Sequence, residues 1–164
     1  MKTKQTLGIV VLILLNLSAC NPSRNAKKEQ LSSEKDHPVK EVFLSGIEAF
    51  NQGNLDAFVS NFSKEITMYG TDGNYEGKEA LRTRFATLFQ QFPNMKMEIP
   101  SLKVEVLSEA VVLVDFGWKL YPIGQGPAYS GVGSGIYVNR QDTWIEILEV
   151  ERTTHVDPEL IPRN

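Results

Sequence analysis

Val111-Val112-Leu113-Val114-Asp115-Phe116-Gly117-Trp118-Lys119-Leu120-Tyr121 alternates with a period of two residues. Val112, Val114, Phe116, Trp118 and Leu120 make one unbroken apolar face, which predicts a strand with that face in the core. The opposite face, with Val111, Leu113, Asp115, Lys119 and Tyr121, is mixed and suits solvent or a partner subunit. On either side, residues 95–106, 129–139 and 143–154 repeat the same period, joined by short links such as Gly124-Gln125-Gly126-Pro127 and Arg140-Gln141-Asp142. Links that short make hairpins, so the sheet is predicted to be antiparallel. The apolar phase changes at Pro100, from Met95, Met97 and Ile99 to Leu102, Val104 and Val106, which places a bulge or bend there. Gly131, Gly133 and Gly135 alternate with Val132, Ser134 and Ile136, a pattern that permits strong curvature or the close approach of another backbone.

Upstream the period lengthens to that of a helix. From Pro38, residues Val39, Val42, Phe43, Ile47 and Phe50 recur at three- and four-residue spacing, with Asp36 as the expected N-cap. Gln52-Gly53-Asn54 stops this helix on a glycine and starts another on an asparagine cap, burying Leu55, Phe58, Val59 and Phe62. Residues 66–69 form a short strand candidate, and a third helix over 77–91 presents Leu81, Phe85 and Leu88 until Pro93 ends it. The whole predicts an α+β domain with three N-terminal helices packed on a strongly curved antiparallel sheet.

This order, with Phe50-Asn51-Gln52-Gly53-Asn54-Leu55-Asp56 at the helix break and a late Trp144-Ile145-Glu146-Ile147 strand, resembles the nuclear transport factor 2-like superfamily. That group includes the ketosteroid isomerases and the SnoaL-like polyketide cyclases. The resemblance runs over about residues 38–157 and implies a cone-like fold whose open end is a mainly apolar pocket. Isomerase chemistry needs a carboxylate base, a Tyr hydroxyl and a protonated acid. By the resemblance, the Tyr position falls on Gly46, the base on Gly70 and the protonated acid near Ser134, so the isomerase catalytic residues are absent. In SnoaL-like cyclases a late-strand acid moves the proton, and Glu149 lies close to that position. Glu149 is expected on one strand face with Ile145 and Ile147, where apolar surroundings would raise its pKa. The bland alternative is a surface carboxylate beside Glu146, Glu151 and Arg152.

The other candidates are ligand-binding. Trp118 and Tyr69 either line the pocket and stack on a flat ligand or are plain core residues. Ser134 either hydrogen-bonds a ligand from the core face or satisfies itself on backbone. Asp115 is expected to be exposed or interfacial, His155 to be solvent-exposed near the end of the last strand, and His37 to belong to a tether. Two separated histidines and one cysteine give no metal-ligand spacing, so neither a metal nor a cofactor is expected. Gly131-Val132-Gly133-Ser134-Gly135 lies within a strand pattern with no following helix, which rules out a phosphate-binding turn.

The N-terminus carries an address. Lys2 and Lys4 precede an apolar run over 7–17, the form of a secretory signal and shorter than the roughly 20 apolar residues that span a bilayer. Leu17-Ser18-Ala19-Cys20 then looks like the lipobox of a bacterial lipoprotein, in which Cys20 becomes lipidated. The expected organisation is a signal peptide over 1–19, a lipidated Cys20 with a polar tether to 37, the folded domain over 38–157 and a tail over 158–164. Such a protein is anchored to a membrane by lipid, in the bacterial cell envelope and facing the periplasm, without crossing the bilayer.

The 164 residues, 41% hydrophobic and 23% charged, fit one globular domain. With 17 basic against 20 acidic side chains and no basic cluster, nucleic acid is not an expected partner. The preferred reading is a non-catalytic envelope lipoprotein binding a small apolar molecule or a protein partner, with homodimerisation through the mixed sheet face. The alternative is a SnoaL-like enzyme that isomerises, cyclises or dehydrates a small apolar substrate by proton transfer through Glu149.

Overall fold

The computed structural model describes residues 36–122 and 127–160. The expected signal peptide, Cys20, most of the tether and residues 161–164 lie outside the described residues. Among the described residues, no helix is long and apolar enough to cross a membrane.

The first described element is helix α1 (Pro38–Asn51). Its N-cap is His37 rather than Asp36: the imidazole Nδ1 accepts from the Val39 amide at 3.2 Å, and Pro38, which lacks an N–H, fits the first turn. The His37 ring also meets Trp144 edge-on with centroids 4.9 Å apart, so this histidine belongs to the folded domain and not to a tether. Beyond the C-cap Gln52, Gly53 turns left-handed at φ +67°, a conformation that favours glycine. Asn54 then caps helix α2 (Leu55–Ser60), its side-chain oxygen accepting from the Ala57 amide at 3.1 Å.

Six strands follow or interleave: β1 (Phe62–Gly70), β2 (Gly73–Glu76), then helix α3 (Lys78–Gln91), then β3 (Met95–Ser108), β4 (Val111–Pro122), β5 (Pro127–Arg140) and β6 (Thr143–Leu160). They form one curved sheet in the order β2-β1-β6-β5-β4-β3. The long strands β3 to β6 pair antiparallel in sequence, as hairpin links dictate. Three details depart from the sequence expectation. β1 pairs parallel with β6, a long-range contact no local pattern encodes. β2 is too short and polar to carry a two-residue period, so nothing in its sequence announces it. Finally, α2 has only six residues, and β2 adds a second strand ahead of α3 to the one expected there, so the three helices are not one N-terminal block.

Two apolar clusters fill the concave side. One gathers Phe50, Phe58, Phe62, Ile66, Met68, Leu81 and Phe85, with Phe50 and Phe58 edge-on at 5.4 Å and Phe58 and Phe85 at 4.7 Å. The other joins Val39 and Phe43 of α1 to Val112, Val114, Phe116 and Trp118 of β4, the face that alternation picks out. Asn51 locks the C-terminus of α1 to the sheet: its amide donates to the Met97 carbonyl at 2.8 Å and accepts from the Met97 amide at 2.6 Å. The β3–β4 register shifts between Glu98 and Ser101, which reconciles the two apolar phases across Pro100.

Candidate functional site

The site begins with the three alternating glycines of β5. In register, Gly131 faces Trp118, Gly133 faces Phe116 and Gly135 faces Glu149 across the neighbouring strands. A Cβ on Gly131 would stand 2.2 Å from the Trp118 ring, one on Gly133 2.4 Å from the Phe116 ring, and one on Gly135 2.2 Å from Glu146 Oε1. Those separations are far inside van der Waals contact, so only glycine lets side chains from β4 and β6 lie flat across β5. What approaches closely is therefore a row of side chains, and β5 becomes a low floor beneath them.

Over this floor is a cavity of about 90 Å³ between the sheet and the helices. Phe43 and Phe50 of α1, Phe58 of α2, Met68 of β1, Phe85 of α3 and Phe116 of β4 give it apolar walls. Its polar lining is concentrated on β6: Glu146, Glu149 and Glu151, faced by Tyr137 from β5 and Arg84 from α3. In a regular strand Glu146 would point away from Glu149 and Glu151. The β5–β6 register shifts here, pairing Tyr137 with Glu146 and Ile136 with Leu148, so Ile147 is an extra residue. That one-residue bulge returns Glu146 to the concave face, where it is 2% exposed, while Glu149 is 9% exposed. Because β6 is flanked by β1 and β5, the carboxyls sit in mid-sheet and not at an edge.

Burial sets the electrostatics. Desolvation lifts Glu146 to about 8, against the opposing hydrogen bonds from Tyr137 and Glu149. Glu149 rises well above the ordinary carboxylate value, first through burial, then through the Glu146 charge and the hydrogen bond it gives Glu146. Glu151, which is half-buried, is raised to about 8 by desolvation and by the charge of Glu149. The Tyr137 hydroxyl, itself pushed up by burial and by the two acids, donates to Glu146 Oε2 at 2.9 Å. Two carboxyls in one apolar enclosure titrate as a unit: once Glu146 ionises, the remaining proton rests on Glu149 while Tyr137 supports Glu146 as acceptor.

Two buried polar atoms in the lining have no hydrogen-bond partner, Glu146 Oε1 and Trp118 Nε1. Arg84 is engaged elsewhere: its guanidinium meets Asp72 through Nη2 at 2.8 Å and Nε at 3.1 Å and lies over the rings of Tyr75 and Phe85. Among the described residues, no group of three or more His, Cys, Asp or Glu is placed to hold a metal ion.

The sequence candidates divide sharply. Glu149 and Trp118 line the cavity. Ile145 does not share the face of Glu149, since it pairs with Val138 on the other side of the bulge. Tyr69 is 46% exposed and absent from the lining, because its neighbour Met68 takes the inward position on β1. Ser134 is on the convex face, where its hydroxyl donates to Asp115 Oδ1 at 2.6 Å; the glycines beside it, and not the larger residues, mark the inner face of β5. His155 is exposed. Cys20 lies outside the described residues. Alternation along β6 and β5 places Glu151 with Glu149 and Tyr137 with the glycine row; Glu146, turned inward by the bulge, and Arg84, on a helix, are the lining residues it does not reveal.

The described fold matches solved structures across most of its length. An NTF2-like protein of unknown function from Pseudomonas putida KT2440 is 13% identical and aligns with a TM-score of 0.66 over 80% of this chain and 98% of that one. A hexachlorocyclohexane dehydrochlorinase (LinA) type 2 is 12% identical, with a TM-score of 0.65 over 83% of this chain and 90% of that one. A protein with a cystatin-like fold from Caulobacter vibrioides is 13% identical, with a TM-score of 0.65 over 77% and 91%. At these identities the likeness is one of fold. No curated protein matches the chain. The model of the SnoaL-like domain matches residues 45–146, from the middle of α1 through β5 to the first of the buried carboxyls on β6, and the chain belongs to the SnoaL-like family.

Proposed function

We propose that this protein is an acid–base enzyme that moves a proton on a small, mainly apolar substrate, in an isomerisation, cyclisation or elimination such as dehydration. The observation that carries the reading is the pair Glu146 and Glu149 in one buried apolar cavity, with Tyr137 donating to Glu146 Oε2 at 2.9 Å. The paired environments separate two roles. Glu146, once ionised, takes a proton from the substrate; Glu149 holds the proton to be returned. A desolvated carboxylate is a stronger base than one in water, and the unpartnered Trp118 Nε1–H supplies a hydrogen bond to an acceptor on the substrate. The cavity volume of about 90 Å³ is below the roughly 300–1,000 Å³ of drug-sized sites, so the substrate is small. A dehydrochlorinase among the structures of the same fold is in keeping with elimination chemistry.

The test uses 5-nitrobenzisoxazole, whose ring opens when a base removes its carbon-bound proton. The full chain should open it faster than acetate at equal concentration, with a rate that rises with pH through about 8 as Glu146 ionises. Glu146→Gln should lower that rate by about 10²- to 10⁴-fold, the range for a positioned acid–base group. A rate no greater than that of acetate, or one unchanged by the substitution, favours the binding-only reading.

The site is carried, in this proposal, by an envelope lipoprotein anchored through Cys20 and facing the periplasm. The support is the Lys2 and Lys4 region, the apolar run and Leu17-Ser18-Ala19-Cys20. Labelling cells with an alkyne fatty acid should tag the protein, and Cys20→Ser should abolish the tag. A homodimer through the convex sheet face belongs to the same proposal, because Val132 and Val150 there are 45% and 44% exposed.

A further inference from the structure

Three carboxyl side chains line one cavity, and among the described residues its walls bring a single cationic side chain, Arg84, to balance them. The groups facing them are Tyr137 from β5, Arg84 from α3, Asp72 from the β1–β2 turn and the uncharged Trp118 and Phe116 from β4. Of these only Arg84 is cationic, and its guanidinium is committed to both oxygens of Asp72. Glu146 Oε1 is buried in the lining, and apart from the proton that Glu149 shares with this carboxyl no described wall group donates to it. The carboxyls are not grouped as a metal cage, and the walls beside them are aromatic rings, which favour an organic cation over a hydrated ion.

We propose that the cavity selects a small ammonium ligand, an amine with one apolar ring or short alkyl body, whose charged head lies against Glu146 Oε1 and Glu149. The apolar body lies among Phe43, Phe116 and Trp118. The binding step balances as a proton displacement: the ammonium enters with its charge, the neutral Glu146 carboxyl releases its proton to solvent while Glu149 keeps its own, and a carboxylate–ammonium contact replaces the lost O–H. The inference uses the cavity of the proton-transfer proposal but does not need turnover, so an amine that binds without reacting leaves the two readings separable.

Calorimetric titration of the full chain at pH 7 with benzylamine, benzyl alcohol and benzoate provides the test, run in two buffers of different ionisation heat. Benzylamine should bind at least about tenfold more tightly than benzyl alcohol, benzoate should not bind, and the buffer dependence should show proton release. Glu146→Gln, whose fold is checked by near-ultraviolet circular dichroism, should lose about tenfold in benzylamine affinity and keep its affinity for benzyl alcohol. Equal affinity for the amine and the alcohol, no saturable benzylamine binding, or an amine preference that survives Glu146→Gln would each overturn the proposal.

Discussion

Replacing Glu146 by glutamine should make this protein more stable at neutral pH, and by an amount that grows with pH. In the folded chain Glu146 titrates at about 8, against 4.5 for an unperturbed glutamate. Between those values the folded state holds a proton that the unfolded chain has released. Stability from this group is therefore complete below pH 4.5 and is lost as pH rises towards 8. Each pH unit in that window costs about 1.4 kcal/mol, so the loss is about 1 kcal/mol at pH 5, about 3 at pH 7 and about 4 at pH 8. Glutamine has the same shape, still accepts from the Tyr137 hydroxyl and never ionises, so it escapes the loss. Removing the Glu146 charge also relieves Glu149, whose elevation has that charge as its second cause, and this adds to the gain.

The assay is urea unfolding of the two full-length proteins at pH 5, 6, 7 and 8. With slopes of about 1–3 kcal/mol per molar urea, a 3 kcal/mol gain at pH 7 moves the midpoint by about 1–3 M. A difference between the proteins that stays constant from pH 5 to pH 8 would refute the buried titration of Glu146, however large that difference were.

Four further outcomes test the architecture around the acids. Gly131→Ala should cost about 3 kcal/mol or more, because its Cβ meets both the Trp118 ring at 2.2 Å and the Arg152 carbonyl at 2.4 Å, and backbone cannot swing aside. Gly135→Ala should cost less, about 1–2 kcal/mol by the same denaturation, since it strikes the end of the Glu146 side chain and not backbone; comparing the two by urea midpoint gives the order. Tyr137→Phe removes the hydrogen bond that holds Glu146 down, so the rising limb of the 5-nitrobenzisoxazole rate should move to higher pH, read from the pH–rate profile. Asn51→Ala loses both bonds to the Met97 backbone and should cost about 2 kcal/mol in thermal or urea unfolding, without moving that pH profile.

Much of the scaffold was legible because its signals are local. The alternation of β4 picked out Val112, Val114, Phe116 and Trp118, which are the inner face. Gly53 and Asn54 marked the break between α1 and α2, because a left-handed turn and an N-cap each demand particular residues. The parallel pairing of β1 with β6 was not legible, since it joins residues about eighty positions apart. His37 was misread for a related reason: the Trp144 ring it packs against is over a hundred residues away.

The site itself failed to show at one residue, and the cause is physical. Parity counting assumes an unbroken pleat, and on that count Glu146 belongs with Leu148 and Val150 on the outside of the sheet. Ile147, unpaired in the β5–β6 ladder, breaks the count and turns Glu146 inward. A buried carboxyl is destabilising unless it is paired or neutral, so the bulge would be a liability without the features gathered round it. Tyr137 gives Glu146 a donor, Glu149 shares a proton with it, and Gly135 leaves room for its second oxygen. The three glycines of β5, the bulge in β6 and the raised acids are thus parts of one arrangement. The glycines also make room for the Trp118 and Phe116 rings, whereas the bulge and the raised acids are unfavourable for stability alone and gain a use under the proposed proton transfer. That mutual dependence, more than the fold it shares with other SnoaL-like proteins, is what supports the proposed role of the carboxyl pair.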